Sequence, residues 1–219
     1  MTRWLPILAS LFLSPCAWAQ TTVYAYTGNV LLVSNYTAPC GTGPCADFPS
    51  GTHWTGQFTT ASPLPSNLST YTEVTSQVTS FSFSDGLNVF ANSNPNMRVG
   101  FFFVQTDAGG NITVASIGAS LWQSGSSPHS GTDRVAYMQI NSPDYAYNNG
   151  TCSLIGVSYS GVPDSCKVLP TVDASTSFGS QGVANPGLWS KSSGAPPALV
   201  SAVSRKAHGS AGTFDLPLQ

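Results

Sequence analysis

The chain reads as an all-β protein, an antiparallel β-sandwich of about eight to ten short strands, and three observations lead there. Apolar residues recur with a period of two over most of residues 22–178. Clusters of Gly, Pro, Asn, Asp and Ser punctuate that pattern at sandwich-like spacing, and no long stretch has the period of an amphipathic helix. Charged residues are 7% of the chain, while 41% is hydrophobic and 11% aromatic. That is too apolar for disorder, and its polarity comes from Ser, Thr, Asn, Gln and Gly, a composition suited to pleated surfaces. Two packed sheets, jelly-roll-like or immunoglobulin-like, would bury such strands.

Taken in order, Thr22–Val33 opens with Tyr24 and Tyr26 on one face. In His53–Thr59, Trp54, Gly56 and Phe58 share a face, which makes Trp54 a core residue. Val78–Ser84 and Leu87–Ala91 flank Asp85-Gly86 as the clearest hairpin, with Phe81 and Phe83 expected opposite Leu87 and Val89. The run Val99-Gly-Phe-Phe-Phe-Val104 reads as a strand covered on both faces. Asp107-Ala-Gly-Gly-Asn111 then turns the chain into Ile112–Trp122. Further strands are expected at Val135–Ile140, Tyr145–Tyr147, Ser153–Tyr159 and near Thr176–Phe178.

The ends have a different character. Residues 1–19 read as a secretory signal peptide: Arg3, the apolar run Trp4–Leu13, then Ala17-Trp18-Ala19 before Gln20. The run is far shorter than the about 20 residues of a membrane-spanning helix. No other segment is apolar for that length, so no integral membrane segment is expected after leader removal. The product is expected to be secreted, periplasmic or at the cell surface. Pro15 disfavours a lipoprotein beginning at Cys16. The sandwich is assigned to residues 20–189 and a Ser/Gly/Pro linker to 190–199. Residues 200–219 read as the lead-in of a second β-module, a segment that must dock on the sandwich, pair with another chain or stay loose.

Setting Cys16 aside leaves Cys40, Cys45, Cys152 and Cys166. An even count in an exported chain implies two disulfides. Of three pairings the local one, 40–45 with 152–166, is favoured, because the first pair closes a Gly/Pro loop and the second flanks a hairpin. Zinc would want thiolates at other spacings with further Cys or His nearby. Removing the leader takes Arg3 from seven basic residues and leaves six against nine acidic ones. The remaining Lys and Arg are scattered, which excludes a phosphate-tracking surface and hence nucleic acid as a partner.

Tyr26-Thr27-Gly28-Asn29, the segment from Gly51 to Leu64, Phe81-Ser-Phe-Ser-Asp-Gly86, Thr106-Asp-Ala-Gly-Gly-Asn-Ile-Thr113 and Asn185-Pro-Gly-Leu-Trp189 together resemble the exported β-domains of PEP-CTERM-type bacterial surface proteins. The usual Val-Pro-Glu-Pro sorting signal does not occur in this sequence. The tail from Ser204 to Leu218 is similar to a segment that leads into a further β-module in other exported bacterial proteins. The resemblance implies an envelope or extracellular role and transfers no catalytic residue.

Candidate chemistry is sparse. Gly156-Val-Ser158-Tyr-Ser160-Gly161 misses the Gly-x-Ser-x-Gly elbow by one position. Glu73 is the only glutamate, and a glycosidase would need a facing Asp across a pocket. Asp107 and Asn111 offer a weak calcium candidate in a loop that lacks the EF-hand spacing. Trp122, Tyr145 and Tyr147 are candidates for stacking on a sugar if they line one open face; core or rim packing is the favoured alternative. No cofactor is expected. The leading expectation is an exported structural or interaction protein, with polysaccharide or other envelope components as partners. A carbohydrate-binding module stands second and a secreted hydrolase third.

Overall fold

The computed structural model describes residues 21–35, 46–181 and 186–193. The leader, the Cys40–Cys45 pair and the tail lie outside them. Fourteen strands form among the described residues, more than expected because five have only two or three residues. They are β1 (Thr22–Thr27), β2 (Leu32–Ser34), β3 (Thr55–Thr60), β4 (Thr72–Glu73), β5 (Val78–Ser84), β6 (Val89–Ala91), β7 (Met97–Thr106), β8 (Ile112–Trp122), β9 (Arg134–Ile140), β10 (Tyr145–Thr151), β11 (Ile155–Gly156), β12 (Ser165–Cys166), β13 (Ser177–Ser180) and β14 (Leu188–Ser193).

They build a five-stranded sheet, β14-β1-β3-β5-β6, and a seven-stranded one, β2-β13-β10-β9-β8-β7-β4, with β11 and β12 as a separate ribbon. Every pairing is antiparallel. From β1 to β5 the chain alternates between the two large sheets. It then lays down β7 to β10 as a meander of its longest strands. Between the sheets the inward rings interlock: Tyr24 stacks on Phe58 at 5.0 Å, and Phe58 and Phe81 meet Phe102 at 5.5 and 5.3 Å. Trp54 is fully buried beside Phe90, as alternation requires.

Three expectations need correction. The Asp85-Gly86 hairpin is not a two-residue turn. Asp85 accepts the N–H groups of Leu87 and Asn88 on its own carboxylate, which lengthens the turn to Asp85–Asn88. Phe83 then pairs with Phe90 rather than Leu87, and Val89 faces outward; a displacement of three residues, being odd, moves the later side chains to the other face. The Ser153–Tyr159 strand shrinks to β11, since Gly156 and Gly161 flank a tight turn in which Ser158 binds Val162. The linker begins later than residue 190, because Ser190–Ser193 continue β14 against β1.

Candidate functional site

The outer face of the seven-stranded sheet carries the most unusual surface of the molecule. Register places Phe178, Tyr147, Tyr137 and Ser120 in one cross-strand row, and Tyr145, Gln139, Gly118 and Phe101 in the next. A third row runs Ser116, Phe103, Glu73. Phe102 and Val104 point inward, so Phe101 and Phe103 stand on this outer face, half-buried. The expectation of a strand covered on both faces holds only in part: Phe102 and Val104 are buried on the inner face, while on the outer face a loop leaves Phe101 and Phe103 half-exposed.

That loop is the flap between β10 and the Thr151–Thr171 bridge. β11 and β12 form its ribbon, and Cys152–Cys166 closes its base with a Cα–Cα distance of 5.7 Å, so the second predicted pairing is present. Ser160 binds the Gly100 carbonyl through its N–H and its hydroxyl, and that hydroxyl also meets the Thr75 hydroxyl at 3.0 Å. These bonds hold Tyr159 above the sheet, 73% exposed, with its ring edge-on to Phe103 at 4.9 Å.

The other end of the flap is fixed by a polar pin. Asp164, in the left-handed region at φ 58°, accepts the His129 backbone N–H at 2.8 Å and His129 Nδ1 at 2.7 Å, with Arg98 at 3.4 Å. Burial works against its charge, but the His129 hydrogen bonds outweigh it and hold the carboxyl down at about 2. The Asp164 carbonyl accepts the Trp122 indole N–H, and the His129 ring lies flat on Trp122 at 4.2 Å. A histidine oriented by a carboxylate is half of a hydrolytic triad. Here, among the described residues, no hydroxyl bonds its other nitrogen, and the stacked ring serves to seat the flap.

The predicted stacking residues divide accordingly. Trp122 is on the outer face but buried beneath His129 and Asp164. Tyr147 is buried against Phe178 and Tyr137, and Tyr145 is half-buried alongside Phe178. They share a face without forming one open platform, because segments distant in sequence roof two of them. The exposed rings are instead Tyr159 and Tyr71, with Phe101 and Phe103 between. The calcium candidate also fails on geometry. Asp107 Oδ1 accepts Gly109 N–H, Asn111 N–H and the Asn111 amide, and Oδ2 accepts that amide again. Lys191 donates to the neighbouring Gly109 carbonyl. These bonds, with the Asn111 amide foremost, lower the Asp107 carboxyl's pKa; they are what a hairpin cap needs, and they leave a cation little to bind.

Three depressions run along the aromatic face. One of 290 Å³ lies between flap and sheet, over Phe101, Tyr137, Tyr159 and Lys167. The second, 470 Å³, is bounded by Glu73, Thr75, Tyr159 and Ser160. The third, 250 Å³, lies between Tyr71, Phe103, Ser116 and Asn141. Tyr159 belongs to the first two, and its contact with Phe103 joins them to the third. Tyr137 is buried and, among the described residues, its hydroxyl has no hydrogen-bond partner; burial pushes its pKa up to about 12. Glu73 Oε1 accepts the Thr75 N–H at 3.0 Å, and among the described residues no second carboxylate lines its depression.

Gly118 makes this floor possible. A Cβ there would sit 2.7 Å from the Phe101 ring and 3.2 Å from the Tyr137 hydroxyl. Gly118→Ala is expected to destabilise by about 1–3 kcal/mol through overpacking, with a change in tyrosine fluorescence as the two rings separate. Urea melts matching wild type within about 0.5 kcal/mol would show that the ring positions are not set by this glycine. A cleft of 160 Å³ at the opposite, inter-sheet side lies between Tyr26, Ile140 and Trp189; the Tyr26 hydroxyl donates to buried Asp144, whose oxygens are committed internally. Compared with protein-family models, with curated proteins and with solved structures, the chain matches none of them, and the chemistry of the aromatic face is what its function must be read from.

Proposed function

We propose that the protein is an exported interaction module of the envelope or extracellular space, which meets its partner through the flap and the aromatic face beneath it. One observation carries the reading. Of the eleven large apolar residues that stand exposed among the described residues, Leu154, Val157, Tyr159, Val168, Leu169 and Val172 all lie within residues 154–172. A segment that exposes so many apolar groups is a candidate contact site, and here a disulfide and the Asp164 pin hold that segment in shape. Export is supported by the leader-like residues 1–19 and by a disulfide of the kind that persists in oxidising compartments. Among the described residues, no set around the three depressions has the paired groups that hydrolysis needs.

The test uses the full chain with its leader in a Gram-negative host. The reading expects a mature N-terminus at Gln20 outside the cytoplasm and co-sedimentation with purified envelope. Tyr159→Ser with Val157→Ser should release it to the supernatant without changing its melting temperature. Cytoplasmic retention with an intact leader would sink the export half. Equal sedimentation of wild type and the double variant would sink the contact-surface half.

A further inference from the structure

We infer that the aromatic face binds a neutral polysaccharide, its pyranose rings against Tyr159 and Phe103 and its hydroxyl groups on Tyr137 and Glu73. This deepens the contact-surface reading and rests on it. The linked depressions form an open trough, fit for a stretch of polymer rather than a compact cofactor that would be largely enclosed.

Along the trough, rings alternate with hydrogen-bonding groups: Phe101 shares its depression with Ser158, Phe103 stands beside Ser116 and Glu73, and Tyr159 is followed by Ser160. A pyranose presents that same combination, a C–H face and a rim of hydroxyls. The hydroxyl of Tyr137 sharpens the choice of ligand. The Tyr137 ring is buried, but its hydroxyl, which has no hydrogen-bond partner among the described residues, opens on the depression beneath the flap, where a ligand that displaces water must replace water's hydrogen bond. It calls for a ligand that brings a hydroxyl with it. A lipid chain or an apolar peptide side chain would leave it unpaired. Glu73 keeps one carboxylate oxygen free of hydrogen bonds among the described residues, ready to accept from sugar hydroxyls.

Charge excludes acidic polymers. Glu73 lines the largest of the three depressions and, among the described residues, Lys167 is the only cation lining any of them, while the chain after leader removal carries more acidic than basic residues. A uronate or phosphate polymer would meet like charge at the trough's centre.

Affinity electrophoresis of the exported chain through gels containing galactomannan, xyloglucan, dextran or polygalacturonate tests this. At least one neutral polymer should retard wild type and polygalacturonate should not. Tyr159→Ala should weaken retardation about tenfold. Tyr137→Phe should weaken it about threefold to tenfold with an unchanged or raised melting temperature, since it deletes only an unpaired hydroxyl. Glu73→Gln, which keeps the acceptor but not the charge, should retain most of the neutral binding. No retardation by any neutral polymer, or equal retardation by polygalacturonate, overturns the inference. If envelope sedimentation still depends on Tyr159 in that case, the surface stands and only its ligand class falls.

Discussion

Replacing Asp164 with alanine should lower global stability by about 3 kcal/mol and free the flap before the sandwich unfolds. The carboxylate holds two His129 donors and faces Arg98, all with side chains less than a fifth exposed. Alanine leaves those donors without an acceptor and puts a Cβ residue without side-chain hydrogen bonding at φ 58°. Asp164→Asn should fall between, because asparagine tolerates that backbone region and keeps an acceptor for the His129 N–H. The sign of the pH effect follows from the depressed pKa. The pin is fully present above about pH 4, the ordinary aspartate range, and is lost as pH falls toward 2. In wild type, hydrogen exchange and proteolysis at residues 153–169 should therefore rise below pH 4, and in the alanine variant they should be high at pH 7. Flap protection in Asp164→Ala equal to wild type would mean that Cys152–Cys166 and Ser160 suffice, and that the His129 cluster is incidental.

How much of this was legible in the sequence varies by element. Alternation placed β1, β3, β5, β8 and β9 and put Trp54 in the core, because each buries one face and the period alone decides which residues those are. It was blind at Phe101-Phe102-Phe103, where three rings in a row hide a strand whose inner and outer faces have different uses. It also misjudged Val89, since the side chain of Asp85 lengthened the turn by bonding Leu87 and Asn88. The candidate trio failed for a non-local reason. Trp122 and Tyr147 lie on the outer face, but residues 129, 164 and 178 cover them, and nothing within β8 or β10 encodes that cover. Tyr159 was readable only as a residue in a Gly-bounded turn. Its place above Phe103 depends on Ser160 reaching Gly100, sixty residues away in sequence. The Cys152–Cys166 pairing was legible because two cysteines around a Gly-rich hairpin leave a short loop to close.

The largest pH effect between pH 4 and 6 is expected from Asp144. It is fully buried at one end of the sandwich, where Tyr26 donates to it at 2.7 Å, Gln181 at 3.0 Å and the Asn141 N–H at 2.9 Å. Tyr26 belongs to the five-stranded sheet, while Asn141 and Gln181 flank β10 and β13 of the other, so this carboxyl clasps the two layers. Gly28 allows the approach, since a Cβ there would lie 2.7 Å from Asp144 Oδ2. Burial raises the pKa to about 6, and the hydrogen bonds from Asn141 and Tyr26 only partly offset it. The folded state thus holds this proton more tightly than the unfolded chain, whose aspartate titrates near 3.8. Stability is greatest below that value, falls as pH rises from 4 to 6, and levels off beyond. The shift of roughly two pKa units corresponds to about 3 kcal/mol. Urea melts of wild type should show that decline, and Asp144→Asn should remove most of it. The residual slope of the same sign should come from Asp85, whose pKa burial also raises. Tyr26→Phe should steepen the decline, because it deletes a donor to the ionised form while keeping the ring against Trp189 at the inter-sheet cleft. An Asp144→Asn variant whose stability falls from pH 4 to pH 6 as steeply as wild type would mean that the clasp is ionised throughout, and that its charge is stabilised by the donors around it.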